Sequence, residues 1–166
     1  MGMMRQLLMG GGSGELTLVS TTEAHTTPTS MPTIVMKAGA SYSITWTGTI
    51  PSASTNLFHI YGGESSLTSM CSGFVGKATS LYPSVLLFGN SFSNSGYLQQ
   101  NTVATISLLF TVNAVSDTRP YYTLTAELYV DGRLVGNGTI QSTQSAGNGL
   151  RYYTNRAGTF IVKKLS

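Results

Sequence analysis

The chain has 166 residues, enough for one domain with its own core. Only 9% of residues are charged, against roughly 25% in an average soluble domain. About a quarter are Ser or Thr, while nine Tyr, six Phe and many β-branched residues exclude a disordered chain and favour half-buried pleated surfaces. The net charge of +3 comes from dispersed cations, with only Lys163 and Lys164 adjacent, so no basic stripe offers itself to nucleic-acid phosphates.

The first segment, residues 1–14, reads as an arm outside the folded body. Its apolar run Leu7-Leu8-Met9 is interrupted upstream by Arg5 and ends at once in glycines, too short for the h-region of a signal peptide. The tract "GGGSGE" lacks the Gly-Lys-Ser/Thr ending of a phosphate loop, and the residues after it are strand-like rather than helical. Met3, Met4, Leu7, Leu8 and Met9 are adaptable apolar anchors. Gly10, Gly11 and Gly12 let the backbone approach a partner closely.

From residue 15 onward short strand candidates alternate with turn-rich pieces. Glu15–Ser20 is the first and Thr33–Lys37 the second. "YSITWTG" sets Tyr42, Ile44 and Trp46 against Ser43, Thr45 and Thr47, a period of two. Leu57–Tyr61 comes after it, then "SSLTSMCSGF", readable as one short helix or a loop, then Val85–Phe88. "ATISLLFTVNA" is the clearest alternation, with Ala104, Ile106, Leu108, Phe110, Val112 and Ala114 on one face. Burial of its four large apolar side chains contributes about 1.5–3 kcal/mol each before entropy is subtracted.

"YTLTAELYV" alternates in the same way and runs into Asp131-Gly132, a hairpin signal because both central residues of a type I′ turn take positive φ. A two-residue loop puts Val135 on the core face, and a bulged three-residue loop puts Leu134 there. Leu150–Thr154 and Thr159–Leu165 close the series. Pro28, Pro32, Pro51, Pro83 and Pro120 fall at predicted edges or loops. The expected fold is all-β: a single-domain β-sandwich, jelly-roll-like, over residues 15–166, with an extended N-terminal arm.

Catalytic and metal chemistry has no local signature. His25 and His59 lie in unrelated segments, no two of the six acids are closer than four positions, and no Gly-x-Ser-x-Gly elbow occurs. His59 in "NLFHIYGG" has no partner visible in sequence and reads as one tip of a strand. The lone Cys71 excludes an intrachain disulfide and reads as a small buried thiol folded in a reducing cytoplasm. Asn137 in "NGT" matches a glycosylation acceptor formally and is expected in a turn or bulge. Tyr61, Tyr82, Tyr97 and the pairs Tyr121-Tyr122 and Tyr152-Tyr153 are candidates for a sugar platform, with core or interface packing the competing role. Only one member of each pair can join a given strand face.

The segments "MRQLLMGGGSG", "IVMKAGASYSITWTGTI" and "ELYVDGRLVGNGTI" together resemble small accessory structural proteins of tailed-phage virions. The likeness is one of composition and architecture and transfers no individual residue. It implies non-enzymatic work in the virion: a homo-oligomer, trimers included, that decorates or cements the capsid by binding the major capsid protein. A tail-fibre or tail-adaptor component is the alternative within the particle, and a carbohydrate-binding module or adhesin tip the alternative of another class. The expectation includes no catalytic residues, no cofactor, no metal, no nucleic acid and no membrane. The arm residues Met3 to Gly12 would serve as the partner anchor.

Overall fold

Alternation of apolar and polar residues lets a strand bury one face and hydrate the other, and here it recurs along nearly the whole chain. The computed structural model describes residues 14–62, 68–77, 79–94, 97–144 and 149–166. The strands in them are β1 (Leu16–Thr21), β2 (Thr29–Ser30), β3 (Ser41–Thr49), β4 (Thr55–Gly62), β5 (Thr68–Lys77) and β6 (Leu81–Leu87). They continue with β7 (Asn90–Ser93), β8 (Val103–Val115), β9 (Tyr122–Val130), β10 (Arg133–Ser142), β11 (Arg151–Thr154) and β12 (Thr159–Lys164).

Two six-stranded sheets result, ordered β1-β12-β3-β8-β9-β10 and β2-β11-β4-β5-β6-β7. Neighbouring strands pair antiparallel throughout. The chain is thus a jelly-roll-like β-sandwich. The first sheet supplies Ile44, Trp46, Ile106, Leu108, Phe110, Leu124, Leu128, Phe160 and Val162 to the core. The second supplies Phe58, Ile60, Cys71, Val75, Val85, Leu87 and Tyr152. Aromatic contacts join the layers, with Phe58 to Phe160 at 5.0 Å and Tyr152 to Phe160 at 5.7 Å between ring centroids.

The low charge is explained on the outer face of the first sheet. There β3 and β8 pair hydroxyl with hydroxyl in register: Ser41 with Thr111 at 2.9 Å, Thr45 with Ser107 at 3.0 Å, Thr47 with Thr105 at 2.9 Å. Such cross-strand pairs keep the surface polar without ions. The one ion pair among the described residues joins Lys163 and Glu15 at 2.5 Å.

The hairpin after β9 closes with two residues, since Val130 pairs with Arg133. Asp131 and Gly132 take φ of 49° and 79°, as a type I′ turn demands. A bulge between Leu134 and Gly136 then leaves Leu134 outside at 46% exposure and Val135 in the core at 6%. Asn137 is exposed on β10 just past that bulge.

Two expectations are corrected. Thr33–Lys37 is no strand but an irregular connection, held by buried Ile34 and by Tyr42, whose hydroxyl donates to the Val35 carbonyl at 2.7 Å. "SSLTSMCSGF" is neither helix nor loop over its described part: Thr68–Lys77 is a strand between β4 and β6. A register shift against β4 interrupts its alternation at Met70-Cys71, where two consecutive side chains are buried. Residues 1–13, with the expected anchor Met3, Met4, Leu7, Leu8, Met9, Gly10, Gly11 and Gly12, lie outside the described residues.

Candidate functional site

The second sheet turns its outer face to solvent, and two bulges decide what stands there. Between Asn56 and Phe58 the register with β5 slips by one residue, so Leu57 and Phe58 are both buried. Asn56 and His59, three positions apart, therefore share the outer face. Between Ile60 and Tyr61 the slip falls on β5, where consecutive Met70 and Cys71 are both buried, at 1% and 0% exposure. That inserted residue brings Ser69 as well as Ser72 to the outer side.

The neighbouring strand β11 completes the group. Its residue Tyr152 is buried against Phe160, so Arg151 and Tyr153 project outward. Tyr153 stands opposite His59 and Arg151 opposite Tyr61. The outcome is a cleft of about 240 Å³ lined by Asn56, Phe58, His59, Ser69, Ser72 and Tyr153.

His59 is its centre. Its Nδ1 lies 2.9 Å from the Tyr153 hydroxyl and its Nε2 2.8 Å from Ser69 Oγ. A hydroxyl both donates and accepts, so the neutral imidazole is satisfied in either tautomer. Burial lowers the His59 pKa below its ordinary value and favours that neutral form. The rings of His59, Tyr61 and Tyr153 form a triangle with centroid separations of 5.3, 5.3 and 6.0 Å. Tyr61 is buried yet lies outside the hydrophobic core cluster, so it backs the outer-face group. Further along the face, Phe74 is half-buried, and the Tyr82 ring lies across Gly76, where any Cβ would collide with it.

His59 is thus a mid-strand residue with two partners, and not a strand tip. Of the tyrosines expected as sugar-platform candidates, Tyr153, Tyr61 and Tyr82 share this face. Tyr152 and Tyr122 are buried in the core, Tyr121 and Tyr97 pack against it, and Arg133 lies 5.6 Å over the Tyr97 ring. Asn56 and Ser69 were not legible as site residues, because the alternation that assigns faces is interrupted at Leu57-Phe58 and Met70-Cys71 beside them. His25 is separate: its Nε2 meets Thr21 Oγ1 at 2.7 Å. Among the described residues no three of His, Cys, Asp and Glu group as metal ligands. No helix in them is long and apolar enough to cross a membrane.

A second cleft, of about 280 Å³, is lined by Val35, residues 37–40, Lys164 and Ser166. It holds no aromatic ring and no histidine.

No family model matches the chain, and no curated protein matches it. Solved structures similar to it include galectin LEC-6 of Caenorhabditis elegans, at 14% identity and a TM-score of 0.45, covering 94% of this chain and 98% of that one. The CBM40 of Ruminococcus gnavus IT-sialidase, bound to α2,3-sialyllactose, is similar at 10% identity and a TM-score of 0.45, covering 93% and 91%. A legume lectin-like domain of Entamoeba histolytica is similar at 10% identity and a TM-score of 0.45, covering 87% and 81%. At these values the likeness carries no residue, ligand or role across.

Proposed function

We propose that this chain is a non-catalytic glycan-binding module whose ligand lies on the outer face of the second sheet. The observation that carries the reading is His59 held between the Tyr153 hydroxyl and Ser69 Oγ beside an open cleft. A sugar ring offers alternating C–H faces and hydroxyls. An aromatic ring packs against the first, and amphoteric hydroxyl, amide and imidazole groups match the second. Asn56, Ser69, Ser72 and His59 supply such polar groups in one place, and Tyr153 supplies a ring. The cleft is smaller than the roughly 300–1,000 Å³ of an enclosed small-molecule pocket, which suits one sugar unit of a longer chain. A glycan array followed by calorimetry tests it. Retained binding in Tyr153→Ala and His59→Ala proteins that remain folded would sink the assignment.

A second reading rests on the opposite face. The hydroxyl ladder of β3 and β8 is uncharged, and interface cores are depleted in charge. It suits packing against a neighbouring subunit, as a virion decoration or tail component would. Its test is oligomeric state and particle binding of the intact chain beside a version lacking residues 1–12: a monomer that binds no particle would end this reading.

A further inference from the structure

We infer that the ligand of the His59 cleft is an acidic saccharide whose carboxylate is gripped by Arg151. The inference rests on the glycan-binding reading and goes on to the class of sugar. Strand alternation sends Arg151 and Tyr153 to the same side of β11, because Tyr152 between them is buried in the core. Two residues along a strand span about 6.6 Å, so the backbone of Arg151 stands one step along β11 from that of Tyr153, which lines the cleft. The cross-strand neighbour of Arg151 is Tyr61, whose ring belongs to the same aromatic triangle as His59.

Arg151 is exposed and makes no ion pair among the described residues. The described strands of this sheet carry no Asp or Glu at all, and the only other cation on them is Lys77 on β5, whose Nζ donates to the Ser52 carbonyl. Of the acids whose positions are described, Glu15 pairs with Lys163, Glu127 and Asp131 belong to the first sheet or its hairpin, and Asp117 sits in a connection. Glu23 lies in the connection beside the far end of β11, where its carbonyl accepts from Thr154 Oγ1 at 3.1 Å, and Glu64 falls outside the described residues. Across its described strands, the outer face of the second sheet therefore carries positive charge with no acid to offset it. A guanidinium is planar and offers two parallel N–H donors, the geometry that a carboxylate accepts. A neutral sugar would use the cleft and leave this cation idle; an acidic one uses both.

Calorimetry with two matched pairs tests this: 3′-sialyllactose against lactose, and trigalacturonate against its methyl ester. The intact chain is expected to bind at least one acidic member about tenfold tighter than its neutral counterpart, in keeping with a charge-assisted contact. Arg151→Gln should bring the acidic member to the level of its neutral counterpart and melt at the same temperature. High salt should shrink the preference in the parent and not in the variant. Equal binding within both pairs, or a preference that survives Arg151→Gln, overturns the acidic assignment and leaves the glycan reading standing. Failure of all four ligands, with the array equally blank, removes both.

Discussion

The Tyr153 hydroxyl lies 2.9 Å from His59 Nδ1, though 94 residues separate the two in sequence. The contact exists because β11 pairs with β4 in a register that sets these residues opposite one another. Tyr153→Phe keeps the ring and deletes the hydrogen bond. It should cost about 0.5–1.5 kcal/mol of stability and leave His59 held by Ser69 alone. Urea denaturation of Tyr153→Phe, Ser69→Ala and the double variant checks this. Strictly additive losses would show that the imidazole is not held jointly by the two hydroxyls.

Acidification should weaken the fold through His59. Its folded-state pKa lies below the unfolded value of 6.5 because burial disfavours the imidazolium. Between those two values the unfolded chain binds more protons, so stability rises with pH there. The contribution is complete above about pH 6.5 and is lost as pH falls through the folded pKa. Denaturation midpoints measured between about pH 7 and pH 5 should fall in the parent and change less in His59→Gln. Parallel pH curves for the two proteins would refute the assignment to this side chain.

Cys71 should resist thiol reagents in the native state. The side chain is fully buried on β5, and burial pushes its pKa far above the ordinary thiol range, so thiolate is scarce and unreachable. Alkylation should proceed only with global unfolding, and its rate should track denaturant concentration. Rapid labelling in buffer would mean that β5 opens locally.

Glycine substitutions separate strain from space. At Gly73 a new Cβ would overlap the Phe58 ring, which is itself packed on Phe160 at 5.0 Å. Gly73→Ala should therefore lose roughly 1–3 kcal/mol through overpacking. At Gly136 the nearest atom to a new Cβ is Leu128 Cβ at 4.0 Å, an ordinary contact. Gly136→Ala should be near neutral or stabilising, since strand glycines lose more entropy on folding than alanine. Thermal melts of the two variants compare them directly.

The hairpin turn offers a further check. Asp131 holds φ of 49°, its N–H donates to the Thr105 carbonyl at 2.8 Å, and its Oδ1 accepts from the Thr105 N–H at 2.8 Å. Asp131→Ala removes that acceptor and places a residue without a polar side chain in the left-handed region. A loss of about 1–2 kcal/mol is expected, read by denaturation, whereas Asp131→Asn should retain most of the stability.

What was legible in the sequence is what a strand decides locally. Alternation in "YSITWTG", "ATISLLFTVNA" and "YTLTAELYV" marks three long strands and their buried faces, since side-chain direction reverses with every residue. Asp131-Gly132 locates the hairpin, because few residue types accept positive φ. The tertiary structure decided the rest. Only strand pairing across the sheet set Tyr153 beside His59 and Arg151 beside Tyr61, and pairing of distant segments has no signature in either partner alone. The bulges at Leu57 and Met70 broke the period of two where Asn56 and Ser69 join the cleft, so the pattern that revealed the core concealed the site.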